Sequence, residues 1–519
     1  MSGQPVALGR RGVLGVAAVG AVLAARPHEA DATPARRATR RHAPVTVPDD
    51  PALHALRRLA YGPTPQDLAT VRKQGVAGWF RGQLAQGSDP RDALIDATVP
   101  FLSLPPPDAA AAYLDDVQTA VQAYEWTTLL RTIFTGRQVE ARLTEVWLDH
   151  FNVCSLIAKP FLPWTRFTYD TNVVRPRATG SFAALLQAVL VSPAMLTYLD
   201  QWLSTKSYPI ENLARENLEL HTVGLGHFTE RDVKAYAKLL TGATIDPKTW
   251  EYRYEPSIHY TGRLEVLGFK TTNRSANGER LVGQFAEYLA HRPETARNVA
   301  RRLLVHYVSD SPSTALVDRV ARQYLRHGTD IGQTLGFIIE QPEFFASRGA
   351  KIRRPGDYFA AAVRGLSPTW LPSVNVGPAT QPWLPLLELL RGAGHAPSEW
   401  PAPNGYPQTA AAWLNSNTTM QQWRFASALV DSSARAVFFD RVGPAAEAWR
   451  PGITYDGVIA AAARHITGQS VRVEHRRAIA DLAGLDLAAK PLSAWRLGGT
   501  AAHQAIEFGI LASEYMTLR

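Results

Sequence analysis

This sequence predicts a predominantly α-helical protein built as one large domain, and three observations carry that expectation. Apolar residues recur at three- and four-residue spacing through most of the chain beyond residue 50, as they do in helices with one buried face. No stretch beyond that point is low in complexity, and no unit of roughly 20 to 50 residues repeats, which argues against a solenoid or propeller. The 519 residues include one cysteine, Cys154, so no intramolecular disulfide is possible. The fold must rest on its core, and a chain of this length buries a large one.

The elements follow in order. Arg10 and Arg11 precede an uncharged run, residues 13–25, which is too short for a membrane-spanning helix of about 20 residues. A basic start, a short apolar run and the small-residue box Ala30-Asp31-Ala32 make a secretory signal, with cleavage expected after Ala32. Gly9-Arg10-Arg11-Gly12-Val13-Leu14, with Arg26 beyond the apolar run, reads as a twin-arginine signal. Residues 1–32 are therefore expected to direct export of the folded chain, residues 33–50 to form a basic linker, and residues 51–519 the helical domain. No stable membrane span is expected.

Helices are predicted over 52–59, 64–74, 110–134, 139–153 and 180–190, then 209–223, 230–240, 278–289, 293–307 and 314–327. Further helices are expected over 331–339, 355–365, 383–392, 418–430 and 455–466. Thr229-Glu230-Arg231-Asp232 reads as a capping box, and Gly242 closes the helix it opens. Residues 249–267 have the best strand composition, with Tyr252, Tyr254, Ile258 and Tyr260 alternating. Residues 367–413 are rich in Pro and Trp and weakly patterned, which marks long loops of the kind that often carry function.

The net charge of +9 does not point to nucleic acid. Residues 1–42 hold seven arginines against Glu29 and Asp31, and the other 477 residues carry only +4, an ordinary balance for solubility. Cys154 sits among Phe151, Asn152, Val153 and Ser155, where a buried inert thiol is expected.

Glu211-Asn212-Leu213-Ala214-Arg215-Glu216-Asn217-Leu218-Glu219-Leu220-His221-Thr222-Val223-Gly224, followed by Phe228-Thr229-Glu230-Arg231-Asp232-Val233, resembles the hallmark of the bacterial domain of unknown function 1800 family. Arg58 to Thr64, Trp147 to Asn152, Ser192 to Asp200, Lys351 to Pro355, Glu399 to Gly405 and Ala512 to Tyr515 match further elements of that family. The resemblance covers about residues 51 to 519. Two departures stand out: Ile210 replaces the first hallmark Asn, and His259 to Gly268 carries Tyr260 and Leu264 where the family has an acid and a lysine. The resemblance implies export and an association with co-exported proteins that look like sulfatases and phosphatases.

On a helical wheel Asn212, Glu216 and Glu219 share one face, with Glu211 and Arg215 beside them, while Ala214, Leu218 and His221 lie on the apolar side. A carboxylate pair suits acid/base work on a sugar or ester, and Asp200 joins Glu216 and Glu219 as a candidate. The competing reading is a solvated face with one Glu–Arg pair. His150 and His221 are the expected supports of the chemistry, with Asn212, Arg215 and His259 around the substrate. Trp370, Trp383, Trp400, Trp413 and Trp423 suggest a flat platform for sugar rings or a peptide, with Trp400 and Trp413 as contacts. Burial of long loops is the alternative. Nucleophile-elbow, phosphate-loop and dinucleotide signatures are absent. No His-Glu-x-x-His, paired Cys-x-x-Cys or calcium-loop spacing occurs, so neither metal nor cofactor is expected. The leading expectation is a hydrolase of an extracellular polysaccharide or cell-surface polymer. The rivals are a non-catalytic glycan- or partner-binding protein and a metal-dependent enzyme using the same His and Glu residues.

Overall fold

Short polar residues followed by proline start many of the helices. Asp50 accepts from the amides of Ala52 and Leu53 at 3.0 and 3.1 Å, and Pro51 opens the helix Pro51–Leu59. Thr64 before Pro65 and Ser192 before Pro193 repeat the device. It works because proline has the right φ for a first turn and lacks an amide that would go unpaired there. The expected capping box is present: Thr229 and Asp232 cap one another at the start of Glu230–Leu240.

The structure, a computed structural model, describes residues 47–112, 116–369, 383–431, 437–439 and 443–519. The expected signal peptide, the linker up to residue 46, and Trp370 lie outside the described residues. Among them, 25 α-helices and two small antiparallel hairpins make the protein mainly α. All fall within one compact unit. None of the described helices is long and apolar enough to cross a membrane.

The main core runs from Leu53 and Leu56 through Trp147, Phe182 and Leu218 to Leu303, Tyr324 and Phe344. A smaller cluster gathers Phe101, Tyr124, Trp164 and Phe167. Pro293–Tyr307 packs against Thr314–Arg326, and Glu279–Ala290 against Phe182–Leu190.

Three expectations need correction. The strand-rich stretch is two separate hairpins. Ala243–Ile245 pairs with Tyr252–Tyr254, and Leu264–Val266 with Phe269–Thr271, while Pro256 breaks the run into a 3-10 turn. The second hairpin turns on Leu267 and Gly268, both at positive φ, as a two-residue turn matched to strand twist requires. The helix expected over 110–134 is Pro106–Ala112 and, separately, Val117–Phe134. The hallmark helix is α only over Asn212–Glu216 and continues as a π-turn, Asn217–His221, with wider i→i+5 bonding. The wheel drawn with 3.6 residues per turn therefore holds only as far as Glu216.

Candidate functional site

The hallmark carboxylates lie half-buried on the polar side of the α-to-π junction, where Glu216 and Glu219 are both partly exposed. Partial burial, and secondly the charge of Glu219, push the Glu216 carboxyl above the ordinary range, against a smaller opposing pull from Arg215. Glu216 also lies near enough to Tyr198 for its charge to add to the burial that raises the phenol. The Tyr198 hydroxyl donates to the carbonyl of Pro401 at 2.7 Å, which brings the segment from Glu399 to Gly405 to the same place.

Asp200 adopts a left-handed backbone at φ 62°. Its two carboxylate oxygens accept from Lys159 Nζ at 2.8 Å and Asn212 Nδ2 at 3.3 Å, so it anchors the start of the hallmark helix. Arg215 is engaged as well. It grips Glu230 through two bonds of 2.6 and 2.7 Å and Glu211 at 3.0 Å, joining the hallmark helix to the next one.

The histidines do not join the carboxylates, and this corrects the sequence reading. His150 donates from Nε2 to the carbonyl of His221 at 2.9 Å, since a carbonyl can only accept. Both rings pack in the core against Phe151. Burial, and then Arg302, lowers His221 to about 3 and holds His150 well below its ordinary value, so both are neutral. His259 is buried between the Thr241 carbonyl and Asn273 Oδ1, a support for the loop before the second hairpin. Among the described residues no three His, Cys, Asp or Glu side chains gather as metal ligands.

The tryptophans divide. Trp400 is half-buried, bonded through Nε1 to Asn404 at 2.8 Å. Trp413 is only 7% exposed, packed edge-on to His395 at 5.0 Å, and Trp383 stacks on Trp126 at 4.7 Å. A platform including Trp413 is not formed, because these rings seal loops against helices.

Sequence reasoning missed a closed ring of buried charges. Arg142 donates to Asp357 and, at 2.8 Å, to Glu145. Arg354 donates to Glu145 and, at 2.7 Å, to Asp149. Arg519 reaches Asp357 at 3.3 Å. His306 Nε2 accepts from both Arg142 and Arg519 at 2.9 Å. Guanidinium groups only donate, so His306 is neutral with its hydrogen on Nδ1, which it gives to Gln408 Oε1 at 2.7 Å. The Gln408 amide then donates to Asp149 at 2.7 Å and closes the circuit. Three arginines meet three carboxylates around a neutral imidazole. Burial works against the charge on Asp357, yet Arg142, Arg354 and Arg519 outweigh it and hold the carboxyl far below its ordinary range.

The segments carrying the family resemblance meet here. Tyr61 donates to Glu145 at 2.9 Å, and Arg519 donates to the backbone carbonyls of Arg57 and Arg58. Asn152 binds the carbonyls of Trp400 and Ala402, both at 2.8 Å. Gly405 sits at φ 68° directly on the Asp149 carbonyl, where any Cβ would overlap the oxygen. The available signal was the spacing of Arg142, Glu145 and Asp149 along one helix face, which patterns like a solvated stripe.

Beside the ring lies a cavity of about 90 Å³, walled by Val117–Phe134, Gln138–His150 and Leu162–Thr168 and bordered by Gly356 and by residues between His395 and Tyr406. Burial, and then Arg354, lowers His395 to about 3.

No curated protein and no solved structure matches the chain. A family described as protein of unknown function (DUF1800) matches residues 54–508. With nearly the whole domain matched, including the hallmark helix, the cavity walls and every member of the charge ring but Arg519, the chain belongs to the DUF1800 family.

Proposed function

We propose that this chain is an exported hydrolase of an extracellular polysaccharide or cell-surface polymer, acting at the junction of the hallmark helix. The observation that supports this most is the carboxyl pair Glu216 and Glu219, in which one group is lifted above its ordinary range by burial and by the other's charge. Neighbouring carboxyls whose protonation is pushed apart are how acid/base pairs are commonly arranged. Glu216 serves as the acid that protonates the leaving oxygen, and Glu219 as the base that activates water. Asp200 positions the helix through Asn212 rather than taking part in proton transfer. The half-buried Trp400, on the segment that the buried Tyr198 ties down beside Glu216, gives a sugar ring an apolar surface.

The test is release of reducing ends from a panel of insoluble polysaccharides by the purified protein. Glu216→Gln is expected to cut turnover by about 100-fold or more while the melting temperature stays within a few degrees. Full activity in that variant removes Glu216 as the acid. The non-catalytic reading has its own support in the Arg215 bridge to Glu211 and Glu230, which makes part of the hallmark face structural. Retention of a polysaccharide without cleavage, equal in wild type and Glu216→Gln, decides for it.

A further inference from the structure

The cavity beside the charge ring holds a guanidinium whose donors the protein leaves without acceptors. Arg166 is 2% exposed, and its Nε and Nη1 have no hydrogen-bond partner. Its guanidinium lies over the rings of Tyr124 and Tyr169 at 5.1 and 5.4 Å. The other charges on the cavity wall are taken. Asp170 pairs with Arg175 at 2.9 Å, Arg131 pairs with Asp96, and Glu145 and Asp149 are held by Arg354. Asp170 also faces Arg166, but no acceptor takes the Nε and Nη1 hydrogens of that guanidinium.

His395 Nε2, Arg131 Nε and Nη1 and Arg175 Nε on the same wall are also donors without a hydrogen-bond acceptor. His395 Nδ1 accepts from the amide of Gly356 at 3.2 Å, so its hydrogen is on Nε2, a donor with no acceptor. Buried polar atoms are nearly always satisfied, and leaving one unpartnered is costly. Here they gather around one cavity: guanidinium N–H groups and an imidazole N–H. That set asks for an anion rich in acceptors. Leu129, Leu148, Leu390 and Pro397 supply the rest of the wall and ask for an apolar body.

We propose that this cavity binds a small monocarboxylate, its carboxyl group on Arg166 and its apolar body against Leu129, Leu148 and Leu390. Water needs roughly 10–15 Å³ of such space per molecule, so about 90 Å³ admits an acid of about five or six heavy atoms. The unbonded edge of Arg166 suits one carboxylate, and charge-assisted hydrogen bonds to a carboxylate are the strong ones. The site is independent of any chemistry at Glu216.

The experiment titrates the purified protein with propionate and butyrate, with propionamide and butyramide as neutral isosteres and chloride as a simple anion. Binding is read by calorimetry and by the shift in melting temperature. Both acids are expected to bind and stabilise, with the amides at least about tenfold weaker. Arg166→Gln is expected to fold, because it removes buried donors that have no acceptor, and to lose the acid response. Thr128→Leu, which fills the cavity and keeps the arginine, is expected to lose it too and serves if the first variant does not fold. The proposal is overturned if neither acid binds below about 10 mM, if the amides or chloride bind as well as the acids, or if a folded variant responds like wild type.

Discussion

At the scale of single residues, Asp357 is where the charge ring is most exposed to failure. It faces Arg142, Arg354 and Arg519 and is 2% exposed. Replacing it with Asn leaves three guanidinium groups against two carboxylates in a dry interior. Breaking one partner of a buried ionic network costs about 3–5 kcal/mol, because the remaining charge is stranded. Asp357→Asn is therefore expected to lower stability by that amount in urea unfolding, and a loss under about 1 kcal/mol would show that water already screens the ring. The ring was not legible in the sequence because a charged residue carries no mark of its burial. Arg142, Glu145 and Asp149 read as a surface stripe until Arg354, Asp357 and Arg519 arrive from more than 200 positions away. Of the hallmark face, the wheel describes only Asn212 and Glu216, which lie within the α-helical part, and Glu219 falls in the π-turn beyond it. His150 and His221 misled the reading because a histidine on an apolar face reads alike as a ligand or as a core residue.

Among the elements, the helices were the most readable part and the hairpins the least. Glu230–Leu240 begins where its capping box predicts. The box does more than cap, since Asp232 Oδ1 also accepts from the amide of Leu267 at 2.8 Å and fixes the tip of the second hairpin to the helix. Thr229→Ala is expected to cost about 1 kcal/mol, the usual worth of a cap, and Asp232→Ala about 2, because it releases the hairpin as well. Equal losses in chemical denaturation would mean that the hairpin is held by packing alone. The π-turn Asn217–His221 escaped the sequence reading for a physical reason. Its side chains pattern as α, and the widening is settled by tertiary partners such as Tyr236, which donates to Asn217 Oδ1 at 3.1 Å.

Over the whole molecule, five buried histidines set a common response to acid. His54, His221 and His395 are lowered to about 3, chiefly by burial and then by neighbouring arginines. His150 and His306 lie well below the ordinary value for the same reasons. Their folded pKa is depressed, so their contribution is complete above the unfolded value of 6.5 and is lost as pH falls from there toward about 3. Each adds up to about 1.4 kcal/mol per pH unit in that window. The melting temperature is expected to be flat from pH 8 to 7 and to fall steeply below about pH 6, as calorimetry would show. A constant value down to pH 4.5 would contradict their neutrality. A different consequence follows from Arg519, whose side chain binds the carbonyl of Arg57 across 462 positions of sequence. Synthesis proceeds at about 5–20 residues per second, so the helix Pro51–Leu59 waits roughly 20 to 90 s for that partner to be made. Over that interval Leu53, Leu56 and Leu59, all buried at the end, have no finished surface to meet. The burden falls on whatever shields the nascent chain until its last residues arrive.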